Sequence, residues 1–401
     1  MKVLVINTGS SSIKYQLFAM PKGTVLCTGL VEKVGEDESI LTHKKHPDSD
    51  EEVKHIEANP IKDHTVGMNR IAELLIDSAW GVLSSAKEVD LVGHRVVHGG
   101  ESFSSTTEIT QEVKDKIKEL SPLAPLHNPA NLIGIEVAEK IFTNARQVAV
   151  FDTAFHHSLP EEAFRYAIPN SLYKENGIRV YGFHGTSHRY ITKRAAVLLN
   201  KPLEELNVIT VHLGNGASMA AVKQGKSIDT TLGLTPLPGL VMGTRSGDID
   251  PGVIFYLNET LGYSLPEIKS LLNKESGLKG LAGDNDMRSV TERAEAGDKE
   301  AMLALAIYTY RIKKYIGAYM AAIGAKPDAV VFTAGVGENS AVIRSMSVDG
   351  LSHLGIEIDA ELNKARGGER KISALESVVA IWVIPTNEEL EIARQAFELK
   401  G

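Results

Sequence analysis

Residues 5–18 read VINTGSSSIKYQLF, and residues 208–228 read VITVHLGNGASMAAVKQGKSI. Each gives a β-type apolar run, a loop of small polar residues hinged on glycine, and a second β-type run. The first copy continues AMPKGTVLCTGLV, so both reach a third strand after a glycine-containing turn. Gly9 and Gly214 occupy equivalent places about 205 residues apart, half the chain, which predicts two similar domains. A hairpin needs only two turn residues. The polar rows at 7–12 and 212–216 therefore admit two readings. One is a solvated turn; the other is a row of N–H and hydroxyl groups suited to phosphate oxygens.

Beyond each opening, helical stretches alternate with short apolar strands such as LVGHRVVHG, RQVAVFDTAF and AVVFTAGVG. Three leading strands followed by βα alternation predict a mixed α/β sheet flanked by helices. Periodicity predicts helices over 68–79, 129–142 and about 298–323. The last carries Met302, Leu305, Thr309, Ile312, Ile316, Tyr319 and Ile323 at alternating spacings of three and four. Such a stripe is a core seam or, in a sharper reading, a homodimer interface. The charged, His-rich stretch 36–59 reads as an exposed hairpin or loop.

The 401 residues are enough for two domains with buried cores. A net charge of −8 argues against nucleic acid or an anionic membrane as partner, so any anion site must be locally basic. The single cysteine, Cys27, excludes an intramolecular disulfide and a Cys-based zinc cluster, in keeping with a reducing cytoplasm. No run approaches the roughly 18 apolar residues of a membrane span.

The familiar phosphate and hydrolase signatures are missing: no G-x-x-x-x-G-K-[ST], no H-E-x-x-H, no G-x-S-x-G. Small polar loops at strand ends are present instead. Arg95 lies in a β run, where a guanidinium needs an anionic partner or exposure. His127 precedes a helix beginning Asn128-Pro129. Asp152 ends an apolar strand, the position where open α/β sheets hold catalytic groups. His184 sits in a Gly/Thr/Ser turn, with His188 one helical turn on. Arg245 lies between glycines, and Glu388 opens the last helix. Each has a bland alternative: surface ion pair, cap neighbour, or a carboxylate complementing a helix dipole. Together they describe a positively biased cleft.

The strings VLVINTGSSSIKY, GHRVVHGG, PLAPLHNP, VFDTAFH, YGFHGTSH, HLGNGAS, TPLPGLVMGTRSGDIDP and AGVGENS occur in this order along the chain. Together they resemble the acetokinase family, within the superfamily of acetate and sugar kinases, heat-shock protein 70 and actin. The resemblance implies two RNase H-like (actin-like ATPase) domains with an interdomain cleft. The first would span 1–152 plus 386–401, and the second, with dimer contacts, 153–385. It implies Mg²⁺-dependent, reversible transfer of a phosphoryl group from ATP to acetate, with Mn²⁺ able to substitute. Catalysis would fall to Asp152, His184 and Arg245. Arg95, Val97, Leu126, His127, Phe183 and Pro236 would hold acetate. Lys14, His212, Leu213, Gly214, Asn215 and Gly216 would contact the nucleotide, as would Asp286, Met287, Arg288, Gly335, Val336, Gly337, Glu338 and Asn339. Asn7 and Glu388 would ligate the metal. The runner-up is a kinase of propionate or butyrate, since one methylene shifts selectivity by only about 1–3 kcal/mol. Two other classes are a non-catalytic nucleotide-binding module and a zinc hydrolase using His184, His188 and Asp152.

Overall fold

The computed structural model describes residues 1–399. Fourteen strands are formed among them: β1 (Lys2–Thr8), β2 (Ser12–Ala19), β3 (Thr24–Glu32), β4 (Ile40–Lys45), β5 (Val53–Ala58), β6 (Leu91–Val96), β7 (Thr107–Glu108), β8 (Arg146–Phe151), β9 (Val208–Leu213), β10 (Ala217–Lys223), β11 (Lys226–Thr230), β12 (Ala329–Thr333), β13 (Arg370–Lys371) and β14 (Ala380–Val383). They assort into sheets ordered β5-β4-β3-β2-β1-β6-β8-β7 and β11-β10-β9-β12-β14-β13. Setting aside edge strands, each sheet is an antiparallel meander of three whose first strand pairs in parallel with a fourth, which pairs in parallel with a fifth. β1 runs parallel to β6 from Val3↔Leu91 to Ile6↔His94; β9 runs parallel to β12 from Val208↔Ala329 to Thr333↔His212. The repeat in the sequence is thus a repeat of topology.

The chain packs as two compact units, Met1–Phe155 with the segment beginning at Asn387, and His156–Thr386. In the first, Leu4, Ile6, Ile13, Tyr15 and Leu17 pack with Met68, Ile71 and Leu74 of the helix His64–Ile76 on one face of the sheet. On the other face Val3, Val5 and Val150 meet Ile392, Ala393 and Ala396 of the helix Glu388–Glu398. In the second unit every residue of β9 and β12 is buried. Central strands covered on both faces read as mainly apolar runs, as VITVHL and AVVFT do.

Three expectations need correction. The first helix begins at His64 rather than 68, because the Asp63 side chain accepts the Val66 N–H and caps it; it ends at Ile76. The segment 36–59 does form a hairpin, β4 with β5, but it is joined to the sheet rather than wholly exposed: Leu41 and His43 are buried, while the outer strand β5 is exposed and charged, as an edge strand must be. The long helix Lys299–Ile323, capped by Asp298 and closed by Gly324 at φ 75°, buries Leu305, Thr309, Ile312, Ile316, Tyr319 and Ile323 inside its own unit. Only Met302 of that stripe is exposed, at 52%. The stripe is core seam, so it carries no argument for a dimer. Among the described residues no helix is long and apolar enough to cross a membrane.

Candidate functional site

In the first unit the polar groups gather where β1, β6 and β8 end. Two buried asparagines in the first turn of the helix Asn128–Ile141 hold those ends. Asn131 Nδ2 donates to the Thr8 carbonyl at 2.7 Å, while its Oδ1 accepts the Val97 N–H at 3.1 Å. Asn128 does the same for both backbone groups of His98. On this clamped edge Arg95 donates to Asp152 at 2.9 Å and, more weakly, to Asn7 Oδ1 at 3.4 Å, with Glu388 4.0 Å from its Nε. Lys14, the cross-strand partner of Asn7, is ion-paired to Glu389 at 2.6 Å. Asp152 is fully buried and Glu389 nearly so.

Three carboxylates share few cations here. Burial pushes the Glu388 carboxyl up to about 7, against the pull of the Arg95 charge and with further push from Asp152 and Glu389. For Arg95, burial works against its charge, but Asp152 and Glu388 outweigh it and hold its pKa above the ordinary value.

The second unit gathers different chemistry at the matching place. His184 precedes the helix Gly185–Leu198 in a left-handed conformation (φ 55°, ψ 25°). Its ring stacks on His212 of β9, centroids 4.4 Å apart, and its Nδ1 lies 2.8 Å from Ser218 Oγ. His212 Nδ1 meets Ser187 Oγ at 2.8 Å, and that hydroxyl meets Thr386 at 2.9 Å. Arg245 donates to the Pro236 carbonyl at 3.2 Å. A Cβ placed on Gly216 would stand 3.5 Å from His184 Nε2 and 3.6 Å from Arg245 Nη1, so imidazole and guanidinium converge over one glycine.

Backbone bonds fix this arrangement. Gly243 N–H donates to the Asn215 carbonyl at 3.0 Å, tying the Arg245 segment to the Gly214–Asn215–Gly216 turn. Gly277, at φ 64°, lies so close that a Cβ would fall 2.2 Å from the Met242 carbonyl oxygen. Arg245 differs from Arg95 in one respect that matters. Among the described residues no carboxylate pairs with it, and burial alone lowers its pKa.

The remaining predicted residues divide. Gly335, Val336, Gly337, Glu338 and Asn339 lie in the short helix Ala334–Asn339 following β12, held from beneath by the buried Arg344, which donates to the Gly337 carbonyl at 2.8 Å and the Glu338 carbonyl at 3.0 Å. Asp286 caps the helix Met287–Glu295 and pairs with the exposed Arg288, whereas Met287 is a core residue. Asn285 Nδ2 reaches Asn215 Oδ1 at 3.4 Å, which brings this segment beside the glycine turn. Leu213 is buried at the end of β9. Val97 and Phe183 are buried, Pro236 is half-buried, and Leu126 is 65% exposed beside a half-buried His127. Sequence reading missed Asn128, Asn131, Ser187, Ser218 and Thr386. All but Thr386 stand inside or beside the motifs already singled out, and their small polar side chains are the signal that was available.

His188 binds Thr210 Oγ1 and Ser218 Oγ through its two ring nitrogens at 2.7 and 2.8 Å, so both are engaged within the protein. No group of three or more metal-binding side chains occurs among the described residues. The zinc-hydrolase reading loses its ligands.

Comparison with known proteins bears on the whole chain. The Acetokinase family matches residues 2–394. The chain is 53% identical to the acetate kinase of Flavobacterium johnsoniae over 100% of its length and 99% of that protein's. It is 53% identical to that of Oleidesulfovibrio alaskensis over the full length of both. Among solved structures, the Porphyromonas gingivalis acetate kinase superposes with a TM-score of 0.94 at 46% identity, covering both chains completely. A propionate kinase from Francisella tularensis gives 0.92 at 42% identity, over 99% of each chain.

Proposed function

The chain belongs to the acetokinase family, and from that premise we propose that it transfers the γ-phosphoryl group of ATP to acetate, reversibly, giving acetyl phosphate and ADP. The observation that carries the reading is Arg245. A guanidinium largely withdrawn from water, with no carboxylate beside it and an imidazole converging on the same glycine, is a site short of an anion. A phosphoryl group in transfer, its charge spread over three equatorial oxygens, supplies that anion.

The roles follow from charge. Arg95, oriented by Asp152, holds the acetate carboxylate. Val97, Leu126, Phe183 and Pro236 receive its methyl group, with His127 at the rim. Lys14, the turn formed by Gly214, Asn215 and Gly216, His212, and the helix Ala334–Asn339 hold the nucleotide. Acetate is already ionised at neutral pH, its pKa being roughly 4, so its oxygen attacks phosphorus without a general base. The bond to the bridging oxygen breaks and ADP leaves in a single in-line step. Arg245 and His184 stabilise the charge at the moment of transfer.

Asn7 and Glu388 offer hard oxygen donors for Mg²⁺, and a half-buried carboxylate pushed up to about 7 is one that a cation would relieve. The ion, when bound, neutralises and orients the phosphates. Two protein ligands suit a cation that usually keeps waters and substrate phosphates in its shell.

We also read the protein as a cytoplasmic homodimer. Cys27 is buried and unpaired. The dimer reading rests on the helix Pro251–Glu259, which buries none of its residues, and the segment after it: Phe255 and Tyr256 of the helix and Leu261 and Leu265 beyond it are each more than half exposed. So many exposed large apolar side chains within eleven residues call for a cover. Light scattering returning only the 43.4 kDa species would remove this reading.

The function is tested by trapping acyl phosphate with hydroxylamine in the presence of ATP, Mg²⁺ and a series of short carboxylic acids. Acetate should give the highest kcat/KM. Propionate or butyrate in first place would favour the reading that the propionate kinase likeness supports.

A further inference from the structure

One hydroxyl stands between two histidine rings in the second unit. Ser218 Oγ, on β10, is 2.8 Å from His184 Nδ1 and 2.8 Å from His188 Nε2. His188 Nδ1 is in turn 2.7 Å from Thr210 Oγ1, on β9. Ser218, His188 and Thr210 are all fully buried. A hydroxyl has one proton, so Ser218 donates to one ring and must accept an N–H from the other. The direction is set at the far end of the chain. The Thr210 hydroxyl has two acceptors in reach: His188 Nδ1 at 2.7 Å and the Ala220 carbonyl at 3.5 Å, the outer limit of a hydrogen bond. A hydroxyl that accepts at 2.7 Å can also donate at 3.5 Å, so the proposal takes the nearer acceptor, His188 Nδ1, as the one to which Thr210 donates. His188 then carries its own proton on Nε2 and donates to Ser218, and Ser218 donates to His184 Nδ1.

We propose that Thr210, His188 and Ser218 are positioning residues that hold His184 in its Nε2–H form, making a neutral imidazole a fixed hydrogen-bond donor beside Arg245. The inference rests on the phosphoryl-transfer reading for its use and deepens it. Several basic groups near His184 favour a neutral donor. Arg245 converges on the same glycine, His212 stacks on the ring, His188 lies one turn along the helix, and His156 meets His188 edge-on. A second cation beside Arg245 would be repelled, whereas an Nε2–H already in place needs no added proton. His184 then donates at pH values well above the ordinary histidine pKa of about 6.5.

The test is nitrogen-15 NMR of the histidine-labelled full chain at pH 8, with His184 assigned by its Gln variant. The proposal expects a protonated Nε2 and a bare, hydrogen-bonded Nδ1. Ser218→Ala should give a mixture of the two neutral forms and lower kcat about fivefold to tenfold, with KM for acetate and ATP within twofold, the scale of one lost hydrogen bond. Ser218→Thr, which keeps the hydroxyl, should restore the single form, and Thr210→Val should weaken it. A His184 protonated on Nδ1, or on both nitrogens, in the unaltered protein at pH 8 overturns the proposal, whatever the variants do. The NMR signature needs no turnover, so an inactive protein showing it would overturn the phosphoryl-transfer reading and leave the proton arrangement standing.

Discussion

The β1–β2 turn and the β9–β10 turn are built alike. In one, Gly9 N–H donates to the Ser12 carbonyl at 2.8 Å; in the other, Gly214 N–H donates to the Gly216 carbonyl at 3.0 Å. Both follow the central strand of the same five-strand order. Around the first stand Arg95, Asp152, Glu388, Glu389 and Lys14, a network in which each cation already has a carboxylate. Around the second stand His184, His212, Ser218, Ser187 and Arg245, with imidazoles and hydroxyls and, among the described residues, no carboxylate paired to the arginine. The same scaffold thus makes one site rich in anions, suited to a cation and to orienting an arginine, and one short of them, suited to a phosphoryl group. In both turns the N–H of the first glycine is spent inside the hairpin, at Gly9 and at Gly214. The loop is a tight turn in both units, which leaves open the second reading, contact with phosphate, that the proposed function assigns to it.

Removing the unpaired charge should do most damage. Arg245→Ala is expected to lower kcat by about 10²-fold or more, the scale of losing one transition-state contact, with little change in thermal stability because no buried ion pair is broken. Asp152→Asn should also lower kcat by about 10²-fold, but by a different route, since it leaves the half-buried Arg95 with only the more distant Glu388 to orient it; KM for acetate should rise with it. Parallel steady-state assays and melting curves would separate the two, and a normal KM in Asp152→Asn would break the comparison.

A smaller effect is expected from Gly216→Ala. Its methyl group would meet His184 Nε2 and Arg245 at 3.5 and 3.6 Å, ordinary contact distances, so the fold should tolerate it. The space where the two groups converge would be filled, and kcat should fall by about tenfold. Unchanged kinetics would mean that the phosphoryl group is held elsewhere. Val97→Ala should improve butyrate relative to acetate by an amount within the roughly 1–3 kcal/mol that a methylene commands.

The smallest effect concerns pH and stability in the second unit. Burial pushes the Asp229 carboxyl up to about 6 from an ordinary 3.8, with the Thr230 N–H pulling the other way. Between those values the folded chain keeps a proton that the unfolded chain has released, so this residue makes stability fall as pH rises from about 4 to about 6. Asp229→Asn, which imitates the protonated form, should raise Tm at pH 8 and leave it nearly unchanged at pH 4. An equal shift at both values would assign the effect to packing instead.

Much of this was legible in the residues. The apolar runs of β1 and β9, the glycine turns and the third strands gave the duplicated topology because each is a local pattern. Arg95, Asp152 and Glu388 each lie beside a strand end or helix start, positions that carry meaning before any contact is known. What sequence does not carry is which charges meet. That Arg95 has a carboxylate and Arg245 none depends on pairings between positions far apart in the chain. The Ser218 bridge likewise needs β10 laid beside the helix that bears His188. The helical stripe from Met302 misled because an apolar seam has the same period whether it faces its own sheet or another copy. Asp63 as a cap was missed because the apolar period begins one turn after the backbone does.

The central claim, that acetate oxygen attacks the phosphorus of ATP directly, is tested most directly by stereochemistry. With ATP made chiral at the γ-phosphorus by oxygen isotopes, a single in-line displacement predicts acetyl phosphate with inverted configuration at phosphorus. Net retention, produced by two successive displacements through a phosphorylated side chain such as Asp152 or Glu388, would contradict it.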